Sequence, residues 1–345
     1  MLHTTHAKIT TAFFLALSLL GCNAIQQTSE QSVTDNTSPS ATPASNQTAS
    51  SARPLVVATT SVICDITKQI ANETIDLNCL VDAGKDPHVY QPTSEDRKAI
   101  EKAKLILYAG YDFEPSIIQL VKATNNSSPK VAVHEQAVPQ PIVGEAHEHG
   151  HEEGEKHAHS ENVPDPHVWH DAQNGIRMVE VVRRNLEKIV PSNASIYSSN
   201  AKKLTDELTQ VDAWIKSQVS TIPTSGRKLV TTHDALNYYV KAYNLSYEGA
   251  LSGLSTEEAP TATRVSELVK DIKKTNVPTI FAETSVNPKL IEAVARNAKV
   301  KVSDRELFAD GLGEQGTEAD TYQKMLVANT KTIVEGLGGK YTPFQ

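Results

Sequence analysis

Residues 54–345 alternate between short apolar runs and amphipathic stretches. Residues 55–59, 75–81, 105–110 and 131–133 are brief runs rich in Val, Leu and Ile, the pattern of strands covered on both faces. Between them, residues 62–72 place Ile63, Ile66 and Ile70 on one helical face, and 94–104 form a second helical stretch with Ser94 as an N-cap candidate. Strand and helix in turn predict parallel βαβ units. Residues 193–219 differ. Tyr197, Ala201, Leu204, Leu208, Val211, Ile215 and Val219 recur at spacings of three and four, which predicts one amphipathic helix about 40 Å long. Pro191 precedes it, and Pro223 and Gly226 follow. The alternation then resumes, with strands at 228–232, 245–251, 279–283 and 299–302 and helices at 262–275, 288–297 and 318–337. The expected fold class is α/β: two lobes with parallel-type sheets, joined by one long linking helix. The N-terminal lobe spans 54–190, the linking helix 191–222 and the C-terminal lobe 223–345.

The first fifty residues read differently. Residues 9–20 are an apolar run behind Lys8. Twelve residues fall short of the roughly 20 that a membrane-spanning helix needs, so the run is a signal-peptide core within residues 1–21. It ends in Leu19-Leu20-Gly21-Cys22, which resembles a bacterial lipobox and makes Cys22 the lipid-attachment residue. Residues 22–53 are this Cys and a Ser/Thr-rich stretch too poor in apolar groups to offset its ordering entropy. They form a tether of about 30 Å. No later stretch is long and apolar enough to span a membrane, so attachment is through the lipid alone. An extracytoplasmic setting permits a Cys64–Cys79 disulfide; two buried thiols are the alternative.

Composition narrows the function. The chain has 345 residues, a net charge of −8 and no cluster of Lys and Arg, so nucleic acid is not a partner. Three cysteines are too few for a disulfide scaffold. The 12 histidines point to metal. Five of them, His147, His149, His151, His157 and His159, are interleaved with glutamates in a loop at 145–160. Such a loop is either a solvated charged insert or a secondary, low-affinity metal collector.

Other candidates are scattered. His88 lies in Asp86-Pro87-His88 and His167 in Asp165-Pro166-His167, each on a loop stiffened by proline. His233 follows the strand at 228–232, and Asp310 lies in Phe308-Ala309-Asp310-Gly311 beyond the strand at 299–302. Ligands of open α/β sheets bind beyond the carboxyl ends of strands, which is where these four fall. His170, three residues past His167, is a rival ligand in the same turn. Three imidazoles and one carboxylate suit tetrahedral Zn²⁺; Mn²⁺ favours more oxygen. The His-Glu-x-x-His spacing occurs at His147–His151, but inside the loop at 145–160, which lacks helical periodicity; no Gly-x-Ser-x-Gly motif occurs, and four protein ligands would close a catalytic zinc, so an enzyme is not expected. Glu283 reads as a structural residue near the cleft.

Taken together, Asp86-Pro-His88-x-Tyr90-x-Pro92-Thr93, Asp165-Pro-His167-x-Trp169, Thr232-His233-Asp234-Ala235 with Tyr238 and Tyr243, and Phe308-x-Asp310 with Gly316, Asp320 and Tyr322 resemble the motifs of the cluster A-I solute-binding proteins of metal ABC importers, of the zinc-uptake receptor type. The resemblance covers nearly all of 54–345. It implies a metal held in the cleft between two lobes by His88, His167, His233 and Asp310. The long helix at 193–219 should resist wide hinge opening, so the lobes are expected to close around the ion with limited motion. His at the third position implies Zn²⁺, with Mn²⁺ as the alternative. It also implies a monomeric, lipid-anchored receptor on the outer face of the plasma membrane or in the periplasm, serving an ABC permease and its ATPase. A periplasmic zinc storage or adhesion protein is the other reading. His170 stands where the family more often has an apolar residue, and the C-lobe cysteine pair of some zinc receptors is missing.

Overall fold

Each short apolar run of the first half becomes a strand of one parallel sheet. The computed structural model describes residues 53–144, 163–257 and 259–345. The leader, Cys22, most of the tether and the His-rich loop at 145–160, with its five histidines, lie outside the described residues.

The elements of the first lobe are β1 (Leu55–Ala58), α1 (Ser61–Ala71), β2 (Asp76–Cys79), α2 (Ser94–Lys102), β3 (Leu105–Tyr108), α3 (Pro115–Ala123), β4 (Lys130–Ala132), α4 (Val133–Ala137), β5 (Val143–Gly144), β6 (Val163–Pro164) and α5 (Ala172–Ile189). The sheet order is β2-β1-β3-β4, all parallel. Strand alternation sends Val56, Ala58, Leu105 and Leu107 to one face and Val57 and Ile106 to the other, and both faces are covered. That is why the β1 and β3 runs read as continuously apolar, while edge strand β2, with Asp76 and Asn78 exposed, does not. Thr60 caps α1 by accepting from the Ile63 N–H. The cap of α2 is Thr93, one residue before the expected Ser94, in a reciprocal capping box with Asp96. A disulfide joins Cys64 of α1 to Cys79 of β2, with Cα atoms 5.7 Å apart, and resolves the thiol alternative. Fully buried Glu114 ties β1 to the end of β3, accepting from Thr59 Oγ1 at 2.8 Å and the Ala109 N–H at 2.7 Å; burial pushes its pKa up to about 7.

Helix α6 (Ala194–Ser220) buries all seven residues of the expected apolar stripe. It packs on α1 and α5 of the first lobe and on α10 of the second. The second lobe runs β7 (Lys228–His233), α7 (Asn237–Tyr243), β8 (Ser246–Ser252), α8 (Ala262–Thr275), β9 (Thr279–Ile280), α9 (Lys289–Ala298), β10 (Lys301–Val302) and α10 (Tyr322–Gly336). β7 pairs with β8 and β9 with β10, both parallel. A backbone bond from Phe281 N to Val230 O, 3.0 Å, joins the two pairs. The strands expected at 279–283 and 299–302 are shorter than their apolar runs, because the chain past Ile280 turns to bridge Glu283 with Leu307.

One apolar cluster runs from Val56 through α5 and α6 to Met325 and Leu337, so the two lobes share a core. Wide hinge opening would expose that surface at about 25 cal/mol per Å². Among the described residues no helix is long and apolar enough to cross a membrane.

Candidate metal centre

The structure brings His88, His167, His233 and Asp310 together: one donor atom from each lies within 4.8 Å of the others, and all four residues are buried. His88 sits on the loop after β2, whose backbone continues the sheet pairing through Leu80 and Val81. His233 is the last residue of β7. Asp310 lies on the long loop between β10 and α10. His167 departs from the expected position. β6 belongs to a separate antiparallel pair with β5, so this histidine is set by the turn ahead of α5 and not by a strand of the main sheet.

Asp310 Oδ1 is the centre of the group. It lies 3.1 Å from His233 Nε2, 3.4 Å from His167 Nε2 and 3.6 Å from His88 Nε2, and the His88 and His167 Nε2 atoms are 3.4 Å apart. A tetrahedron with metal–ligand bonds of about 2.0–2.2 Å has edges of roughly 3.3–3.6 Å. Three of the six edges fall in that range, and a fourth, His233 to Asp310 at 3.1 Å, is slightly shorter.

Surrounding groups aim each donor. The His88 N–H donates to Asp86 Oδ1 at 2.9 Å, and the His167 N–H to Asp165 Oδ1 at 2.9 Å. Asp165 Oδ1 also takes His167 Nδ1 at 2.9 Å, which leaves Nε2 for an ion. Glu283 does the same for His233. Its Oε1 accepts the Thr232 and His233 N–H groups at 3.0 and 3.1 Å, and its Oε2 pairs with His233 Nδ1. Ser285 Oγ donates to Asp310 Oδ2 at 2.7 Å, so Asp310 offers the histidines a single oxygen.

Charge follows from this packing. Burial would raise the Asp310 pKa, but His233 and the other two histidines hold it well below the usual carboxylate range. Burial would lower His233, but Asp310 and Glu283 raise it well above its ordinary value. His167 is likewise opposed by burial and raised on balance by Asp165 and Asp310. For His88 burial wins and the pKa is lowered. The group thus combines strong electrostatic attraction for a cation with protons that a cation must displace.

His170 lies outside the donor group. Its ring is fully buried, burial lowers its pKa to about 3, and Nε2 donates to the Ala309 carbonyl at 2.8 Å. It braces the loop carrying Asp310. His134, also fully buried, stacks near Phe113 and Trp169 behind the site, outside the donor group. The partner of Asp310 missed in the sequence is Ser285; a lone serine after a strand carries no signal of its own.

Glu283 is the most informative of the supporting residues. In Glu283→Gln, an amide N–H₂ faces His233 Nδ1, so the ring turns to the tautomer with its proton on Nε2. We expect a loss of about 10–100-fold in divalent-cation affinity, measured by chelator competition, with the near-UV circular dichroism unchanged.

A family model described as "Zinc-uptake complex component A periplasmic" matches residues 56–336. The chain is 33% identical over 298 residues to the metal ABC transporter substrate-binding lipoprotein SsaB of Streptococcus sanguinis, covering 85% of this chain and 92% of that one. It is 33% identical over 289 residues to the manganese ABC transporter substrate-binding lipoprotein PsaA of Streptococcus mitis, covering 82% and 88%. Among solved structures it resembles the periplasmic zinc-binding protein TroA of Treponema pallidum, at 32% identity and a TM-score of 0.75, over 83% of this chain and 99% of that one.

Proposed function

The chain belongs to the family of periplasmic A components of zinc-uptake complexes, substrate-binding proteins of metal ABC transporters, and from that premise we propose that it binds Zn²⁺ outside the cytoplasm and hands it to an ABC importer. In this reading His88, His167, His233 and Asp310 are the ligands. The observation that carries it is the buried His₃Asp group with edges of 3.1–3.6 Å, in which Ser285 leaves Asp310 one free oxygen. Three nitrogens and one oxygen suit tetrahedral zinc; manganese prefers more oxygen donors. Four protein ligands also leave no open position for a catalytic water, which favours carriage over catalysis.

The supporting reading extends to setting and partners. Relatives named as lipoproteins, the Cys64–Cys79 disulfide and the Cys22 sequence agree with a lipid-anchored protein in an oxidising compartment. A permease and its ATPase would receive the ion.

Manganese is the second reading, favoured by relatives named for it. Affinity alone does not separate the two, since N- and O-donor sites generally hold Zn²⁺ more tightly than Mn²⁺. Uptake does. Deleting the gene is expected to give a growth defect in chelator-treated medium that added zinc restores and added manganese does not. Rescue by manganese alone would overturn the zinc assignment.

A further inference from the structure

Both Asp-Pro-His motifs are wired alike, and the wiring crosses the cleft. In the first, Asp86 Oδ1 accepts the His88 N–H at 2.9 Å, while Oδ2 accepts from Thr256 Oγ1 at 2.6 Å, 170 residues away. In the second, Asp165 Oδ1 accepts the His167 N–H at 2.9 Å, while Oδ2 accepts from Asn237 Nδ2 at 3.2 Å. One oxygen of each carboxylate fixes a histidine loop of the first lobe. The other is held by a polar side chain of the second lobe. Thr256 lies just past β8 and Asn237 opens α7, just past β7, which ends in His233. The proline between each Asp and His restricts the backbone, so displacement of the carboxylate carries to the histidine two residues on.

The two links differ in depth. Asp165 is fully buried, whereas Asp86 and Thr256 are both half-buried. The bracing of the rings differs as well. His167 and His233 are held at Nδ1 by Asp165 and Glu283, but Asp86 holds His88 through its backbone N–H. His88 is therefore the ligand whose position depends most on its loop, which is tied across the cleft by the more exposed of the two carboxylate links and by the Gly84 N–H donating to the Leu312 carbonyl at 3.1 Å.

We propose that Thr256 and Asn237 are positioning residues that clasp the two histidine loops from the opposite lobe, and that the Thr256–Asp86 bond sets the rate at which the ion leaves. This rests on His88 and His167 being metal ligands, as proposed above, and adds what holds them closed. The shared core keeps the lobes docked, so release proceeds by withdrawal of His88 with its loop and not by separation of the lobes.

The test is stopped-flow release of Zn²⁺ from the loaded protein into excess chromogenic chelator. Thr256→Val is expected to release zinc about fivefold faster, from the loss of one hydrogen bond. Thr256→Ser, which keeps the hydroxyl, is expected to release at the wild-type rate. Asn237→Ala combined with Thr256→Val is expected to be faster than either alone. Co²⁺ spectra and one-to-one stoichiometry are expected to stay unchanged, because no ligand is altered. Release by Thr256→Val within twofold of wild type, a Thr256→Ser rate equal to that of Thr256→Val, or an altered Co²⁺ spectrum would each overturn the clasp. Failure of the zinc reading is separately visible as wild-type protein that takes up no stoichiometric zinc, and release of bound Mn²⁺ then tests the clasp with the same variants.

Discussion

Replacing His233 with alanine is expected to lower zinc affinity by roughly a hundredfold to just under a thousandfold. A four-ligand zinc site contributes roughly 10–16 kcal/mol, so one ligand accounts for about a quarter of it. His233 is also the residue through which Glu283 and Asp310 are paired, Glu283 at Nδ1 and Asp310 at Nε2, 3.1 Å away. Its removal leaves two buried carboxylates without their shared partner, so the metal-free protein should be less stable too. The affinity is read by competition with a chelator of known zinc affinity, and folding by near-UV circular dichroism. His170→Ala is the control. That ring bonds the Ala309 carbonyl, not the donor group, and its loss should cost less than tenfold. Zinc affinity within tenfold of wild type in His233→Ala would sink the ligand assignment.

Zinc binding is expected to weaken by about tenfold or more per pH unit as the pH falls below 6.5. The cause is proton displacement. An ordinary imidazole is half protonated near pH 6.5. His233 is raised well above that value by Asp310 and Glu283 against the pull of burial, and His167 is raised by Asp165 and Asp310 in the same way. Both are mostly protonated at pH 6.5, whereas the lowered His88 is mostly neutral. More than one proton must therefore leave when the ion enters. The sign for the metal-free protein is the opposite. A histidine with a raised folded pKa stabilises the fold below its unfolded pKa, and that stabilisation is lost as the pH rises through the folded value. Asp310, held low, stabilises the fold above its unfolded pKa and loses that contribution only in acid. The increase in melting temperature caused by zinc should thus grow from pH 6 to pH 8, as the metal-free protein loses the His233 and His167 contributions. A zinc-induced shift that is flat over that range would show that these rings are not protonated in the metal-free protein.

How far the sequence carried the fold depends on the element. α6 was legible because its seven apolar residues, from Tyr197 to Val219, keep one face through most of a 27-residue helix, and nothing but a helix buries such a stripe. α5 was not. Its Met178–Val182 stretch is rich in β-branched residues, which favour strands in isolation; packing against α6 overrides that preference. α3 and α7 are short, at 9 and 7 residues, so each shows too few turns for a period to stand out.

The site divides along the same line. The chain alone determined the donor types and their setting: two prolines holding His88 and His167 on stiff loops, and His233 at the end of an apolar strand. Those are local facts, written in neighbouring residues. Only the tertiary structure decided that four residues spread from 88 to 310 meet within 4.8 Å, that His170 turns to Ala309, and that Ser285, Asn237 and Thr256 hold the carboxylates. Each of these is a contact between residues far apart in sequence. A side chain carries no mark of its distant partner until the shared core brings the two lobes into register.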